Sequence, residues 1–331
     1  MFWITETPTV ISSSDWVLPI LRRPIHWLRG LVNVWAQYGM YMMHIMKADR
    51  FTAVRLFDVY DMEVSDTESI RIARTKHMIN PKLIVLYCHT LFGSYVELSH
   101  IAAQLQDDPI IYFSYSRRGV HPELATDSYN ITGSTDILDK VLDHIQSIYP
   151  HTPIHAIGAS AGTCLLIKYL GSSNRLKRIK SAVLISPGYN FLKSIQEIPP
   201  TVQVSLLNKL KSRYRHCMNP VLLQLTTLKD LALYHYTSTE YNSAQEYILN
   251  NDPCHFLNSI NVPTIMISAL DDFCFSGNIT ANHTDLPHTN KNITMVITKH
   301  GGHISFIDYR SIVPWSSRVA IEHIRSKLSL L

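Results

Sequence analysis

The stretch Pro153–Leu170, PIHAIGASAGTCLLIKYL, determines how this chain folds. Its short apolar run Ile154–Ile157 predicts a buried strand, and Ala161–Leu170 predicts a helix. Between them lies a G-x-S-x-G pentapeptide centred on Ser160, whose two glycines leave the room that a tight strand-to-helix turn requires. Such a turn lifts the serine hydroxyl out of the sheet edge and points it toward a substrate. The competing interpretation is a turn of small residues that only allows the helix to pack closely on the sheet.

The segments on both sides of this stretch alternate between apolar runs and amphipathic helices. The predicted strands are Thr52–Asp61, Ser69–Thr75, Leu83–Cys88, Ile110–Tyr115, Ala182–Ser186, Thr264–Ser268 and Asn292–Thr298. The predicted helices are Tyr95–Leu105, Gly133–Tyr149 and Trp315–Leu328. This alternation implies the α/β class, with a mostly parallel, doubly wound sheet that helices cover on both faces. The first two strands, separated by acidic turn residues, predict an antiparallel lead-in to that sheet.

The alternation is interrupted by residues 190–255. This part contains two adjacent prolines, a basic helix-like stretch over Leu206–Arg215 and a polar, tyrosine-rich segment near Tyr234–Tyr247. We interpret it as a helical cap insert over the carboxyl edge of the sheet. Residues 51–331 would then form one domain that carries the insert, preceded by residues 1–50 as an N-terminal segment.

The N-terminal segment differs in composition from the rest of the chain. Trp16–Met46 is rich in Trp, Leu, Val, Tyr and Met, but arginines interrupt the apolar run, so it does not fit a signal peptide. Its most apolar part, Leu31–Met46, is short for a membrane span. We expect an amphipathic anchor that lies in a membrane surface, or a helix packed on the domain, and only as a third alternative a transmembrane helix. The first possibility predicts a location at the cytoplasmic face of a membrane or at the endoplasmic reticulum, and the second a soluble cytoplasmic protein.

The composition of the 331 residues limits the classes of protein to which the chain can belong. Apolar residues make up 46% and charged residues 17%, which excludes a disordered chain. The net charge of +4 is mild, and no basic stripe interleaved with aromatic residues indicates a nucleic-acid partner. Five cysteines without a C-x-x-C predict a reducing compartment. The sequence has neither a convincing metal-ligand spacing nor a glycine-rich phosphate loop, so we expect no metal and no cofactor.

A serine hydroxyl is a poor nucleophile near neutral pH, so it needs a histidine base and an acid that orients the base. In a doubly wound sheet, ligands bind outside the carboxyl ends of the strands. Asp271 and Asp272 follow the strand Thr264–Ser268, and His300 and His303 follow the last strand. The chain order serine, aspartate, histidine is the one used by serine hydrolases built on such a sheet. The sequence therefore predicts a catalytic triad at the carboxyl edge.

The choice within each pair of candidates is less direct. We prefer His303 as the base because Gly301 and Gly302 allow it to approach the cleft, and we interpret His300 as a loop histidine. We prefer Asp272 as the acid and keep Asp271 as the alternative. The aspartate that is not used would cap the exit of the strand.

A tetrahedral intermediate also needs two backbone N–H donors. Ala161, the residue after the nucleophile, is predicted to supply one, and Leu91 in the loop after Leu83–Cys88 the other. His89 is expected to shape this oxyanion loop. Further along, the Arg118-Gly119 pair is interpreted as structural, with a buried guanidinium that braces neighbouring loops.

Several blocks of sequence in register carry a resemblance to a known family. Among them are CHTLFGSYV (88–96), GASAGTCLLIKYLG (158–171), VPTIMISALDDF (262–273) and HGGHISF (300–306). Between Ile84 and Phe306 the chain thus resembles the α/β-hydrolase superfamily. Within that superfamily it resembles the subgroup of abhydrolase domain-containing proteins, which includes bacterial YheT-like esterases, plant embryogenesis-associated relatives and animal membrane-anchored lipases and phospholipases.

The resemblance implies that Ser160 is the nucleophile, Asp272 the acid and His303 the base. It also implies that the substrates are short- to medium-chain esters, monoacylglycerols or phospholipids, and that the N-terminal segment is a membrane anchor. The chain departs from the family pattern at Thr90, Ala159 and Phe273.

We therefore expect a serine carboxylic-ester hydrolase, namely a lipid esterase or lipase that works through an acyl-enzyme at a membrane surface. Three alternatives stay open: an acyltransferase on the same triad, a hydrolase-fold binding protein without catalysis, and a structural membrane-associated protein that uses the first 50 residues. Nothing in the sequence indicates the oligomeric state, the acyl-chain length or the head group.

Overall fold

The computed structural model describes Trp3–Ile4 and residues 50–76, 80–124, 126, 129, 131–172, 178–306 and 313–330. The predicted anchor Trp16–Met46 lies outside the described residues. Within the described ranges, no helix combines the length and the apolar composition needed to cross a membrane.

The strands form one sheet. In chain order they are β1 Trp3–Ile4, β2 Phe57–Ser65, β3 Glu68–Thr75, β4 Leu83–Cys88, β5 Ile110–Tyr115, β6 Ile154–Ala159, β7 Ile179–Ile185, β8 Thr264–Ala269 and β9 Ile293–Thr298. Their spatial order is β1-β9-β8-β7-β6-β4-β5-β3-β2. The pairs β2–β3 and β3–β5 are antiparallel, and the other neighbours are parallel. The predicted α/β class and the antiparallel lead-in are confirmed.

The helices connect and cover these strands. They are α1 Arg50–Leu56, α2 Ser99–Gln104, α3 Thr135–Ile148, α4 Ala161–Gly171, α5 Phe191–Glu197, α6 Pro200–Tyr214, α7 Pro220–Gln224, α8 Leu228–Tyr234, α9 Ala244–Asn251, α10 Gly277–Ala281, α11 Leu286–Thr289 and α12 Trp315–Leu328. Short 3-10 turns occupy Tyr95–Leu98, His235–Ser238, Pro253–His255 and Leu257–Ser259.

The central strands are covered on both faces, as a parallel sheet requires. All six side chains of β4 are buried. Because side chains alternate along a strand, Ile84 and Leu86 join one apolar cluster with α3 and α4. Leu83 and Val85 join a second cluster with α2 and α12 on the opposite face. The core therefore consists of two apolar layers separated by the sheet.

The predicted strand over Thr52–Asp61 is wrong in its first half. Residues 50–56 form helix α1, and the strand begins only at Phe57. Ala53 and Phe57 are buried in the layer that contains α2, whereas Val54 is 66% exposed. Packing against a distant helix has overridden the strand preference of this stretch, which local sequence cannot reveal.

Helices α5–α9 lie between β7 and β8, and α5–α8 contribute to a third apolar cluster. Leu210 and Leu231 of this cluster pack with Phe92, which follows β4, and with Val120 and Ile131, which follow β5. The helices thus cover the loops at the carboxyl edge of the sheet and form one wall of the space above it.

Candidate active site

Ser160 occupies the turn between β6 and α4. Its φ of 50° and ψ of −118° are strained for a residue with a side chain, and strain of this kind concentrates at functional sites. The turn lies close to β4, because a Cβ at Gly162 would be 1.9 Å from the carbonyl oxygen of Cys88. Glycine at position 162 therefore allows the helix to begin directly behind the serine.

The structure brings Ser160 together with His303 and Asp272, although more than 100 residues separate the serine from either partner. The Oγ of Ser160 is 2.8 Å from Nε2 of His303. On the other side of the ring, Nδ1 is 2.9 Å from Oδ2 and 3.1 Å from Oδ1 of Asp272. All three side chains are buried. Because a carboxylate accepts the Nδ1 proton, Nε2 is left to accept the proton of the serine.

Asp272 is itself held in place by the backbone. Its Oδ1 accepts the N–H of Cys274 at 2.7 Å and the N–H of Phe275 at 2.8 Å. The rings of Phe273 and Phe275 pack edge-on to His303, at centroid distances of 5.8 and 5.1 Å. These contacts limit rotation of both the acid and the imidazole.

The neighbouring aspartate and histidine form a separate pair. Oδ1 of Asp271 accepts the N–H groups of Gly301 and Gly302, at 2.9 and 2.8 Å. Its Oδ2 lies 3.5 Å from Nδ1 of His300, which is partly exposed. Burial raises the pKa of Asp271, and the two N–H groups and His300 oppose that rise. Asp271 thus braces the loop that carries His303, instead of capping the exit of the strand that precedes it.

Leu91 and Ala161, the residues predicted to supply the oxyanion donors, line the same cavity as Ser160. Ala161 is the first residue of α4, where backbone N–H groups have no acceptor within the helix. Leu91 follows His89 and Thr90 in the loop after β4. Burial, together with the charge of Arg117, lowers the pKa of His89 to about 3. His89 is therefore neutral near pH 7, and its Nδ1–H donates to the Thr90 carbonyl at 2.7 Å.

The interpretation of Arg118 as the buried brace is wrong, because that guanidinium pairs with Glu68 at 2.5 Å near the surface. The buried guanidinium belongs to Arg117, which donates to the carbonyl oxygens of His89 at 3.2 Å and Ile131 at 3.3 Å. Arg117 was not among the residues predicted from the sequence. Its position in the sequence could have indicated burial, because residue 117 is only two positions past the end of the buried strand β5.

Ser160 and His303 line an apolar cleft with about 870 Å³ of empty space, part of which is open to solvent. Its lining is almost entirely apolar and comes from both the body and the insert: Leu91, Phe92, Ile131, Ile195, Leu206, Leu210 and Leu231. Nowhere in the described part of the chain do three or more His, Cys, Asp or Glu side chains gather so as to hold a metal ion. The site can thus activate the Ser160 hydroxyl beside a cavity that suits an apolar ligand.

Several known proteins are similar to this chain in sequence. Phospholipase ABHD3 from Bos taurus is 26% identical over 212 residues, which cover 60% of this chain and 51% of that protein. Monoacylglycerol lipase ABHD2 from Bos taurus is 24% identical over 225 residues, which cover 58% of this chain and 52% of that protein. The chain thus spans about half the length of the curated relatives it matches.

Solved structures show the same fold. An esterase from Pyrococcus furiosus superimposes with a TM-score of 0.55 at 16% identity and covers 84% of this chain and 95% of its own. The acylaminoacyl peptidase of Pyrococcus horikoshii has a TM-score of 0.53 at 13% identity, over 83% of this chain and 42% of its own. The family described as the alpha/beta hydrolase fold matches residues 84–309, more than half of the sequence. The chain belongs to the α/β-hydrolase family.

Proposed function

We propose that this protein is a serine hydrolase that cleaves carboxylic esters of lipids through an acyl-enzyme. The observation that carries the proposal is the continuous contact from Ser160 through His303 to Asp272, at 2.8 and 2.9 Å, at the wall of an apolar cavity. The names of the relatives, a phospholipase and a monoacylglycerol lipase, support a lipid ester as the substrate class.

The proposed reaction begins when Oγ of Ser160 attacks the ester carbonyl carbon while Nε2 of His303 takes its proton. The N–H groups of Leu91 and Ala161 stabilise the negative oxygen that develops. Collapse of the intermediate expels the alcohol, which receives the proton from His303, and leaves the acyl group on the serine. A water molecule, deprotonated by His303, then releases the carboxylic acid. Asp272 holds the imidazole in the required tautomer throughout.

The apolar lining of the cavity favours a hydrocarbon acyl group. Each buried methylene contributes about 0.8 kcal/mol, so a chain of several carbons gains more than a short acid. Leu206 and Leu210 of α6 and Leu231 of α8 make the insert part of this acyl site. We therefore propose that the insert, and not the sheet, governs which acyl chains are accepted.

A fluorophosphonate probe and p-nitrophenyl butyrate test the chemistry. The wild-type chain should be labelled and should turn over the ester, whereas Ser160→Ala and His303→Ala should lose both properties. Ser172→Ala is a matched control, because its hydroxyl bonds the backbone at the far end of the same helix. Label that survives in Ser160→Ala, or that disappears in Ser172→Ala alone, would refute the proposal.

We also propose that residues 16–46 bind a membrane surface, on the basis of their aromatic, aliphatic and basic composition. The full chain should float with vesicles of phosphatidylcholine and phosphatidylserine. The variant Trp27→Ala/Trp35→Ala should float less while it keeps its turnover of the water-soluble ester. Equal flotation of the two proteins would contradict this proposal without touching the catalytic one.

A further inference from the structure

The loop that follows β4 is bound from beneath by a buried carboxyl group. Glu97 lies in the 3-10 turn Tyr95–Leu98, is 3% exposed, and directs its side chain back toward Thr90. The N–H of Thr90 donates to Oε2 at 3.0 Å and its hydroxyl donates to Oε1 at 2.7 Å. The hydroxyl of Tyr87 donates to Oε2 at 3.3 Å. Glu97 thus binds both the backbone and the side chain of Thr90.

A buried carboxyl group is costly, and an apolar side chain would fill the same space at lower cost. The pKa of Glu97 is raised, because burial outweighs the hydrogen bonds from Thr90 and Tyr87 and the charge of Arg117, which act in the opposite direction. The loop also packs directly on the carboxyl group, because a Cβ at Gly93 would lie 2.1 Å from Oε1. These features indicate that the fold specifies the place of this carboxyl group.

The peptide group between Thr90 and Leu91 is held on its carbonyl side. Its oxygen accepts Nδ1–H of His89 at 2.7 Å and the N–H of Gly93 at 3.2 Å. A trans peptide is planar and its N–H points away from its C=O, so these bonds also set the direction of the Leu91 N–H. Glu97 binds the amide and the hydroxyl of the same threonine. Rotation about Thr90 is therefore restricted from both sides.

We infer that Glu97 is a positioning residue that acts through Thr90 to hold the Leu91 N–H in the direction an oxyanion requires. This inference rests on the proposed serine-hydrolase function. Glu97 acts on the oxyanion site indirectly, because its carboxyl oxygens bind Thr90 and Tyr87 beneath the loop. The hydrogen bonds of the threonine also explain how the loop accommodates a side chain where the resembled family has glycine.

Steady-state kinetics of the full chain with p-nitrophenyl butyrate test this inference. Complete loss of an oxyanion donor costs about 10²–10³ in kcat, and a misdirected donor should cost less. Glu97→Gln and Thr90→Val should each lower kcat about 10- to 100-fold, with KM changed by less than about twofold. Thr90→Ser keeps the hydroxyl and should keep kcat within about threefold. Ser181→Ala is the control, a buried hydroxyl that His155 binds elsewhere in the sheet, and should match the wild type.

A second set of measurements separates positioning from general damage. The double variant Glu97→Gln/Thr90→Val should be no slower than the slower single variant, because both changes remove one interaction. The affinity for a boronic acid, which forms a tetrahedral adduct, should fall by the same factor as kcat. If Glu97→Gln does not fold, the comparison of Thr90→Val with Thr90→Ser decides alone.

Values of kcat in Glu97→Gln and Thr90→Val equal to that of Ser181→Ala would overturn the inference, and so would a loss confined to KM. Failure of the proposed function has a different signature. The wild type itself would then show no turnover that depends on Ser160, and the inference would fall with it.

Discussion

The two adjacent aspartates allow a matched test of the triad, because Asp271→Asn and Asp272→Asn make the same chemical change at neighbouring positions. In Asp272→Asn, the N–H groups of Cys274 and Phe275 will retain the carboxamide oxygen, since they lie 2.7 and 2.8 Å from Oδ1. The amide nitrogen then faces Nδ1 of His303 in place of Oδ2, which was 2.9 Å away. An amide NH2 group can only donate, so the imidazole must carry its proton on Nε2.

With its proton on Nε2, His303 cannot accept the proton of Ser160. A wrong tautomer of this kind costs about 10⁴ in kcat, which corresponds to about 5 kcal/mol at 1.36 kcal/mol for each factor of ten. In Asp271→Asn the carboxamide oxygen can still accept the N–H groups of Gly301 and Gly302. We expect kcat to stay within about tenfold and the free energy of unfolding to fall by about 1 kcal/mol.

Both variants are compared by kcat for p-nitrophenyl butyrate, with titration by a fluorophosphonate so that only active protein is counted. Urea unfolding gives the stability of each variant separately. A loss of kcat in Asp271→Asn as large as that in Asp272→Asn would refute the assignment of Asp272 as the acid.

Three further predictions follow from buried contacts. In Gly162→Ala the new Cβ would lie 1.9 Å from the Cys88 carbonyl oxygen. The substitution should therefore lower the free energy of unfolding in urea by about 1–3 kcal/mol and slow labelling by the fluorophosphonate. Unchanged values would contradict the close approach of the helix to β4. Burial lowers the pKa of His235 to about 3, so below pH 6.5 the unfolded chain binds a proton that the folded chain does not. His235 should therefore contribute about 1–2 kcal/mol to the fall in the free energy of unfolding from pH 6.5 to pH 5, and His235→Gln should remove that part of the slope. Leu210 is buried and lines the apolar cavity, so Leu210→Ala should destabilise the protein by about 2–5 kcal/mol. It should also raise KM for longer acyl esters more than for the butyrate. An equal change for all chain lengths would argue against the proposed acyl site.

Elements that depend on local sequence were predicted well. The bounds of β4 and β5 are those of the apolar runs, because a strand covered on both faces must be apolar at every position. Helix α12 also has its predicted bounds. Helix α1 could not be predicted, because its stability depends on packing against the layer that contains α2, far along the chain.

The candidate site shows the same division. The G-x-S-x-G turn and the two glycines before His303 are local features, and they indicated which serine and which loop to consider. Asp271 and Asp272 are adjacent and chemically identical, so only the direction in which each side chain leaves the strand exit separates them. The contacts of Glu97 with the loop after β4 were out of reach for a related reason, because they are buried and depend on the packed fold. The contacts of Arg117 also depend on packing, but its position just after β5 was a signal that the sequence offered.

The sequence by itself determined the fold class, the turn that presents Ser160, and the order in which Ser160, the aspartate pair and His303 follow one another at strand ends, because short-range periodicity and turn chemistry encode these features. Only the tertiary structure decided which aspartate contacts His303, which arginine is buried, and how the loop before Leu91 is held. Those outcomes depend on hydrogen bonds a few ångströms long between residues separated along the chain, and the direction of a side chain in a packed core follows from all of its neighbours at once.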